Sequence, residues 1–475
     1  MFNKLKNLFT PNELLKGNYG IEREGLRVNK DGTLALTKHP KAFEKKICNP
    51  YITTDFSESQ IEIITPTFST PKEVYNFANS LYDIVAMEIG DEYLWPQSMP
   101  AIVPDDDKIP VAEFCECPKG INARKYREIL LKKYGGKKQL ISGIHYNFSL
   151  KEELVEKLYK NIDKNISYKE FKNNLYLKIV RNYTRYRWLV IYLLGATPGI
   201  HSSFFNDGKV PDEEGVLSYR NSDIGYRNKE DIYPSYDSVD AYVDSINNLV
   251  KNKLIENHKE LYSQVRLKAQ DPDNFLQSLI DDGINYLEYR SIDVNPFERG
   301  GISLTDLEFL QLFNLFLLTY EESDYKLWQQ DAEQNQILIA NYGLNNINLI
   351  KDGVKVSKET WALEIIKEIK KINEVLNLHK DDVIEIMENR ITDVTLTHSY
   401  RILKRIKEDG FINAHLNLAK KHKEEAYNNR FKLEGYEDLE LSTQILMKEA
   451  IKRGVKVDVI DRSDNFIALN KCEKT

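Results

Sequence analysis

Hydrophobic and polar residues alternate in short runs through the first third of the chain and recur at intervals of three and four through the last third, which predicts strands early and helices late. The opening stretch GNYGIEREGLRVNKDGTLAL holds two alternating runs on either side of Asp31-Gly32, a pair that favours a tight antiparallel turn. ITTDFSESQIEIITP and LISGIHYNFSL are short and rich in β-branched and aromatic residues, so they read as further strands with helices between them. From residue 168 to 194, Phe171, Leu175, Ile179, Tyr183, Tyr186 and Val190 mark the face of a long buried helix that Gly195 and Pro198 stop. A helix over 239–254 precedes a strand in GINYLEYRSIDVNP, which Asn295-Pro296 ends. Helices over 303–320 and 357–376 each open on a serine at a suitable N-cap.

Length changes this picture by implying more than one core. At 475 residues the chain suits one large α+β domain with a helical appendage, or two domains. No repeat or Pro-rich linker interrupts it, and the acidic, glycine-containing FKLEGYEDLELS marks the best boundary. The expected division is 1–435, with a core sheet over about 15–330 and a helical part over about 331–435, followed by a segment 436–475. In that segment a helix ends at Gly454 and a short strand follows. If the helix packs on the main body, Ile445, Leu446 and Ile451 are the residues to be buried.

Hydrophobic residues at 41% and charged residues at 29% place the chain among globular proteins. A net charge of -7 argues against a nucleic-acid surface, which needs a basic patch. The longest apolar run, 188–196, is about half of what a bilayer crossing requires, and the N-terminus lacks a signal-peptide core. A soluble, cytoplasmic protein is expected, without membrane partners. Cys48, Cys115, Cys117 and Cys472 form neither a disulfide framework nor a zinc ribbon, and reduced thiols are expected.

The candidate chemistry lies in carboxylates. A strand through GIEREGLRV sets Glu22 and Glu24 on one face, about 6.8 Å apart. A solvated face of Glu-Arg pairs is the plain reading, and a metal site needs more carboxylates. Asp55, Glu58 and Glu62 supply them, as does Glu288, which shares a strand face with Arg290. Glu288 is a hard oxygen ligand suited to Mg²⁺, and Arg290 a charged fork suited to phosphate. Asp55 and Glu62 are separated by an odd number, so Asp55 belongs in a turn. His145 shares a polar face with Asn147 and Ser149, as a hydrogen-bonded strand histidine or a ligand. The chain has neither a P-loop motif nor a convincing GxGxxG.

GIEREGLRV, DGTLALTKHP, ITTDFSESQIEIITP, ISGIHYNFSL, SDIGYRN and YLEYRSIDVNPF together resemble, in this order, proteobacterial-type glutamate-cysteine ligase. The resemblance is close over about 15–330 and weaker through THSYRILKRIKEDG. It implies an α+β, glutamine-synthetase-like antiparallel sheet funnel with flanking helices and a mostly helical C-terminal part. It further implies two or three Mg²⁺ ions, with Mn²⁺ an alternative, held by Glu22, Glu24, Asp55, Glu62, His145 and Glu288. His145, Asn147 and Arg290 then meet ATP, and Arg127 and Arg290 meet the transferred phosphate, although both arginines also suit surface ion pairs. Tyr126, Arg220, Tyr226, Phe56 and Tyr262 resemble the positions around L-glutamate and L-cysteine.

The implied reaction is ATP-dependent: the glutamate γ-carboxylate takes the γ-phosphate, and the cysteine amine displaces it. An amine does not displace hydroxide from a carboxylate at neutral pH, so a phosphorylated intermediate supplies the leaving group and no cysteine nucleophile is required. A different amine acceptor, or a non-catalytic partner of an ATP-grasp ligase, are the alternatives. LELSTQILMKEAIKRGVKVDVIDRSDNF resembles the joining segment of bifunctional enzymes that carry an ATP-grasp glutathione synthetase. The expectation is that the ATP-grasp domain itself is absent here, with a separate ATP-grasp glutathione synthetase as partner.

Overall fold

The computed structural model describes residues 2–161, 165–211, 214–228 and 230–470. At its centre lies an antiparallel sheet of β1 (Gly17–Val28), β2 (Ile52–Thr54), β3 (Gln60–Ile64), β4 (Tyr93–Leu94), β5 (Ile144–Leu150), β6 (Val265–Lys268) and β7 (Tyr286–Ile292). Its order is β2-β3-β1-β5-β7-β6, with β4 paired to β1 off that path. β1 is central because it pairs β3 on one side and β5 on the other. It runs into the predicted turn, where Gly32 adopts φ 84° and Asp31 accepts from the Thr33 backbone at 3.0 Å. The returning run makes only isolated bridges, Leu34 to Val28 and Thr33 to Ile102, where the alternation predicts a second strand.

Period-two alternation divides the sheet into two unlike faces. Tyr146, Phe148, Leu287 and Tyr289 point into the main core. There the helices Tyr168–Leu194 and Leu304–Thr319 cover them, and Tyr183 stacks on Tyr289 with ring centroids 3.8 Å apart. Each fully buried Leu or Phe contributes about 1.5–3 kcal/mol, so this face anchors the sheet. The opposite face carries the charges. Both helices run as the spacing predicts, Gly195 capping the first and the Ser303 side chain accepting from Asp306 N at the start of the second. The fold is α+β, with a largely helical C-terminal region that also holds the hairpin of β8 (Asn348–Lys351) and β9 (Val354–Ser357).

The helix Leu441–Lys452 packs against the edge of the sheet, where Met447 and Ile451 join Ile61, Ile63, Phe77 and Leu81 in one apolar cluster. Asn49 Nδ2 ties it down by donating to Lys452 O at 3.0 Å. Ile451 is buried as expected, but Ile445 and Leu446 are 42% and 50% exposed because the helix turns that side away from the cluster. Gly454 follows with φ 71°, and β10 (Lys456–Asp461) pairs β11 (Phe466–Asn470). Among the described residues no helix is long and apolar enough to cross a membrane. Cys115 and Cys117, expected as thiols, are joined as a disulfide across the turn before the helix Pro118–Tyr134, whereas Cys48 is free and exposed. Cys472 lies outside the described residues.

Candidate functional site

The charged face is assembled by strand register. Glu22 stands opposite His145, Glu24 opposite Glu62, and Glu288 lies between Asn147 on one side and Arg266 on the other. A like-charged pair directly opposite is destabilising, so the Glu24–Glu62 register marks a place where the fold tolerates repulsion. Asp55 joins from the turn between β2 and β3, as its odd spacing from Glu62 requires. All of these groups except Asn147 line a cavity of about 510 Å³.

His145 is the hub. Its Nδ1 lies 3.2 Å from Glu22 Oε2 and 3.5 Å from Glu288 Oε1, and its Nε2 lies 3.6 Å from Glu24 Oε1. Asn147 Nδ2 donates to Glu22 Oε1 at 3.0 Å, and Arg290 Nη1 to Glu288 Oε1 at 2.9 Å. The far oxygen of Glu288 meets Lys268 as an ion pair at 2.8 Å, with no hydrogen bond aligned on it. Ligand atoms of Glu22, His145 and Glu288 all lie within 4.8 Å of one another. Hard carboxylate oxygens with one imidazole fit Mg²⁺ or Mn²⁺.

Burial and neighbours split the carboxylates into two sets. Burial, then the nearby Asp55, pushes Glu24 up to about 8, and burial with Glu22, Asp55 and Glu24 holds Glu62 well above the ordinary range. Burial opposes ionisation of Glu288 as well, yet Lys268 and Arg290 hold it well below that range. Glu22 is lowered against the same burial penalty, chiefly by its hydrogen bond with His145. Burial, then Arg290, keeps His145 lowered and so neutral, the form that can ligate a metal. The cluster carries protons it would shed to a divalent cation.

The remaining wall is aromatic and cationic. Tyr226 and Tyr262 lie with ring centroids 4.2 Å apart, beside Tyr126 and Phe56. Arg127 stacks on Phe114 at 4.6 Å, gives Nη1 to Ala123 O at 3.0 Å and donates Nε to Asp55 O. Arg220 donates to Ser142 O at 2.9 Å and lies so close to Gly143 that a Cβ there would meet its Nη2 at 2.2 Å. The cavity thus gathers Glu22, Glu24, Asp55, Glu62, His145 and Glu288 with Arg127, Arg220 and Arg290. It leaves Asn147 behind Glu22, off the wall, and Glu58 is turned away to accept from the His39 and Glu113 backbone at 2.7 and 2.6 Å. Arg266, Lys268, Tyr286 and Gln139 also line it. None of these stands out in the sequence; the alternation of VRLK, the one signal for the first two, is only four residues long.

Carboxylates held this close on a rigid sheet, with arginines beside them, suit a divalent ion held against phosphate. Residues 2–257 and 250–339 match the family model described as glutamate-cysteine ligase, and the chain belongs to that family. It is 42% identical over 477 residues to the glutathione biosynthesis bifunctional protein GshAB of Clostridium perfringens, covering 97% of this chain and 61% of that protein. The crystal structure of a bifunctional glutathione synthetase from Pasteurella multocida superposes with a TM-score of 0.87 at 31% identity, covering 98% of this chain and 60% of that one. Glutamate-cysteine ligase from Francisella tularensis, solved in complex with AMP, superposes with a TM-score of 0.82 at 26% identity, over 95% and 97% of the two chains.

The chain spans about three fifths of the length of the bifunctional relatives it matches. Residues 437–475 match the ATP-grasp-like domain family. This corrects the expectation that the ATP-grasp part belongs to a separate partner: the match lies in this same chain, on the helix and hairpin that pack against the sheet.

Proposed function

We propose that this chain joins the γ-carboxylate of L-glutamate to the amine of L-cysteine through γ-glutamyl phosphate, consuming ATP, as the first step of glutathione synthesis. The observation that carries the reading is the register that places Glu22, Glu24, Glu62, His145 and Glu288 on one sheet face, within a chain of this family. Glu22, Glu24, Asp55, Glu62, His145 and Glu288 would hold two or three Mg²⁺ ions, which when bound offset the charge of the phosphates. Arg290, with its Nη1 held by Glu288, presents its remaining donors to the phosphoryl group in flight, and Arg127 lines the same cavity. Asn147 fixes the orientation of Glu22. Arg220 supplies a buried positive charge suited to the glutamate α-carboxylate. The aromatic wall of Tyr126, Tyr226, Tyr262 and Phe56 receives the amine acceptor and excludes the water that would hydrolyse an acyl phosphate. A reaction that consumes ATP belongs where ATP is made available, in the cytoplasm.

Incubating the purified chain with ATP, Mg²⁺ and glutamate while varying the amine tests this reading. γ-Glutamylcysteine, identified by mass together with one ADP per bond, is the expected product. Faster turnover with another amine would move the specificity, and no amine-dependent ADP release would sink the reading.

A further inference from the structure

Strand β6 is the outer edge of the sheet beyond β7, and its two polar side chains face the cavity. They behave differently. Arg266 spends its donors on the backbone, giving Nε to Leu261 O at 3.0 Å and Nη2 to Lys259 O at 2.8 Å and Leu261 O at 2.6 Å. That arginine pins the loop carrying Tyr262. Lys268, two residues on, meets Glu288 Oε2 at 2.8 Å, and its side chain keeps 26% of its surface open. A lysine ammonium on a four-carbon stem can move where an arginine fork tied to carbonyls cannot.

Glu288 therefore has two cations, Arg290 on one oxygen and Lys268 on the other, and is also one of the three groups placed to share a divalent ion. An ion bound there competes with Lys268 for the same carboxylate and repels its ammonium. Beyond Lys268 the cavity is walled by Ala269, Gln270, Pro272 and Phe275, and the His258 ring stacks on Phe275 with centroids 4.6 Å apart. An end with a stacked ring pair, Ala269 and Pro272 next to the part-exposed Lys268, with carboxylates on the other side, has the chemical order of a nucleotide: base, phosphates, metal.

We propose that Lys268 is the phosphate-binding cation of the nucleotide site, paired with Glu288 in the empty enzyme and passed to a nucleotide phosphate oxygen when a divalent ion takes that carboxylate. The inference rests on ATP being the substrate, as proposed above.

The test measures binding, without turnover. Calorimetric titration of ADP with Mg²⁺ into Lys268→Met should show affinity at least tenfold weaker than in the unaltered chain, with adenosine affinity unchanged and Lys268→Arg partly restored. Mn²⁺ alone should bind Lys268→Met more tightly, because the competing ammonium is gone. Lys268→Gln reads the same should the methionine variant not fold. Equal loss of ADP and adenosine binding, unchanged ADP binding, or weaker Mn²⁺ binding would each overturn the role of Lys268. An unaltered chain that binds no ADP would overturn the ATP reading itself, a result distinguishable from these because it needs no variant.

Discussion

Two buried acidic regions of this molecule are built on opposite terms. Asp306, 1% exposed, accepts from Arg390 Nη1 at 2.6 Å on one oxygen and meets His398 Nε2 at 2.9 Å on the other. Arg390 also reaches Leu193 O at 3.2 Å, and Asn295 lies 3.3 Å from the His398 ring. Each charge there is answered from within the protein. On the sheet face, Glu24 stands across from Glu62 with Asp55 nearby, while Arg127 and Arg220 direct bonds to backbone carbonyls. The first arrangement is a structural tie and the second is a deficit of positive charge. A buried carboxylate is informative about function when the chain leaves it unanswered.

Breaking the closed network should give the largest effect on stability. Asp306→Ala leaves Arg390 buried without its counter-charge and should cost about 3–5 kcal/mol in chemical denaturation, while activity per folded molecule stays near that of the unaltered chain. Glu24→Ala should do the reverse. It relieves repulsion, leaves the melting temperature unchanged or higher without metal, and lowers turnover by at least about a hundredfold, since even groups behind a metal ligand cost 10–100-fold. Near-normal turnover of Glu24→Ala at saturating Mg²⁺ would remove it from the ligand set. Arg290→Lys keeps the charge but loses the planar fork, and a fall of roughly tenfold or more in kcat is expected. A change confined to the glutamate KM would instead place Arg290 on the amino acid.

The smallest effect is in pH dependence, where the regions pull in opposite directions. Glu24, raised from an ordinary 4.5 to about 8, contributes stability that is full below pH 4.5 and is lost as pH rises through about 8. His398, lowered from 6.5 by burial and then influenced by Asp306, contributes stability present above 6.5 that is lost on acidification. Above pH 6.5 the His398 contribution is complete, so melting temperatures of the metal-free chain should decline between about pH 6.5 and 8.5. Glu24→Gln should flatten the decline by a few degrees, and a slope unchanged by that substitution would show that the charge of Glu24 is not its source.

The site's chemistry was legible in the sequence where it repeats every second residue. Glu22 with Glu24, and Glu288 with Arg290, declare their shared faces by spacing alone, and Asp55 declares its turn by an odd separation. Lys268 and Arg266 were missed because β6 is four residues long and too short for alternation to rise above its surroundings. The Asp306–Arg390–His398 network has no local signature, because packing of separate helices brings these residues together. The joining of Cys115 to Cys117 depends on a turn that spacing does not describe. The exposed Ile445 and Leu446 show the same limit on a helix, where periodicity names a face but the neighbour decides how much of it is covered.

The strand order has a consequence for how the molecule is made. β1 emerges early, but the strands beyond its neighbour β5, β7 and β6, come from beyond residue 260. At about 5–20 residues per second, roughly a quarter of a minute to a minute separates the synthesis of Glu22 from that of Glu288. Throughout that interval Glu22, Glu24 and Glu62 wait without Arg290 or Lys268. The apolar side of the sheet also waits for the helix Leu304–Thr319, and pairings so distant in sequence form slowly. A ribosome that pauses before this helix holds out a half-built sheet, bare on its greasy side and overcharged on the other, which chaperones rather than substrates would be the first to meet.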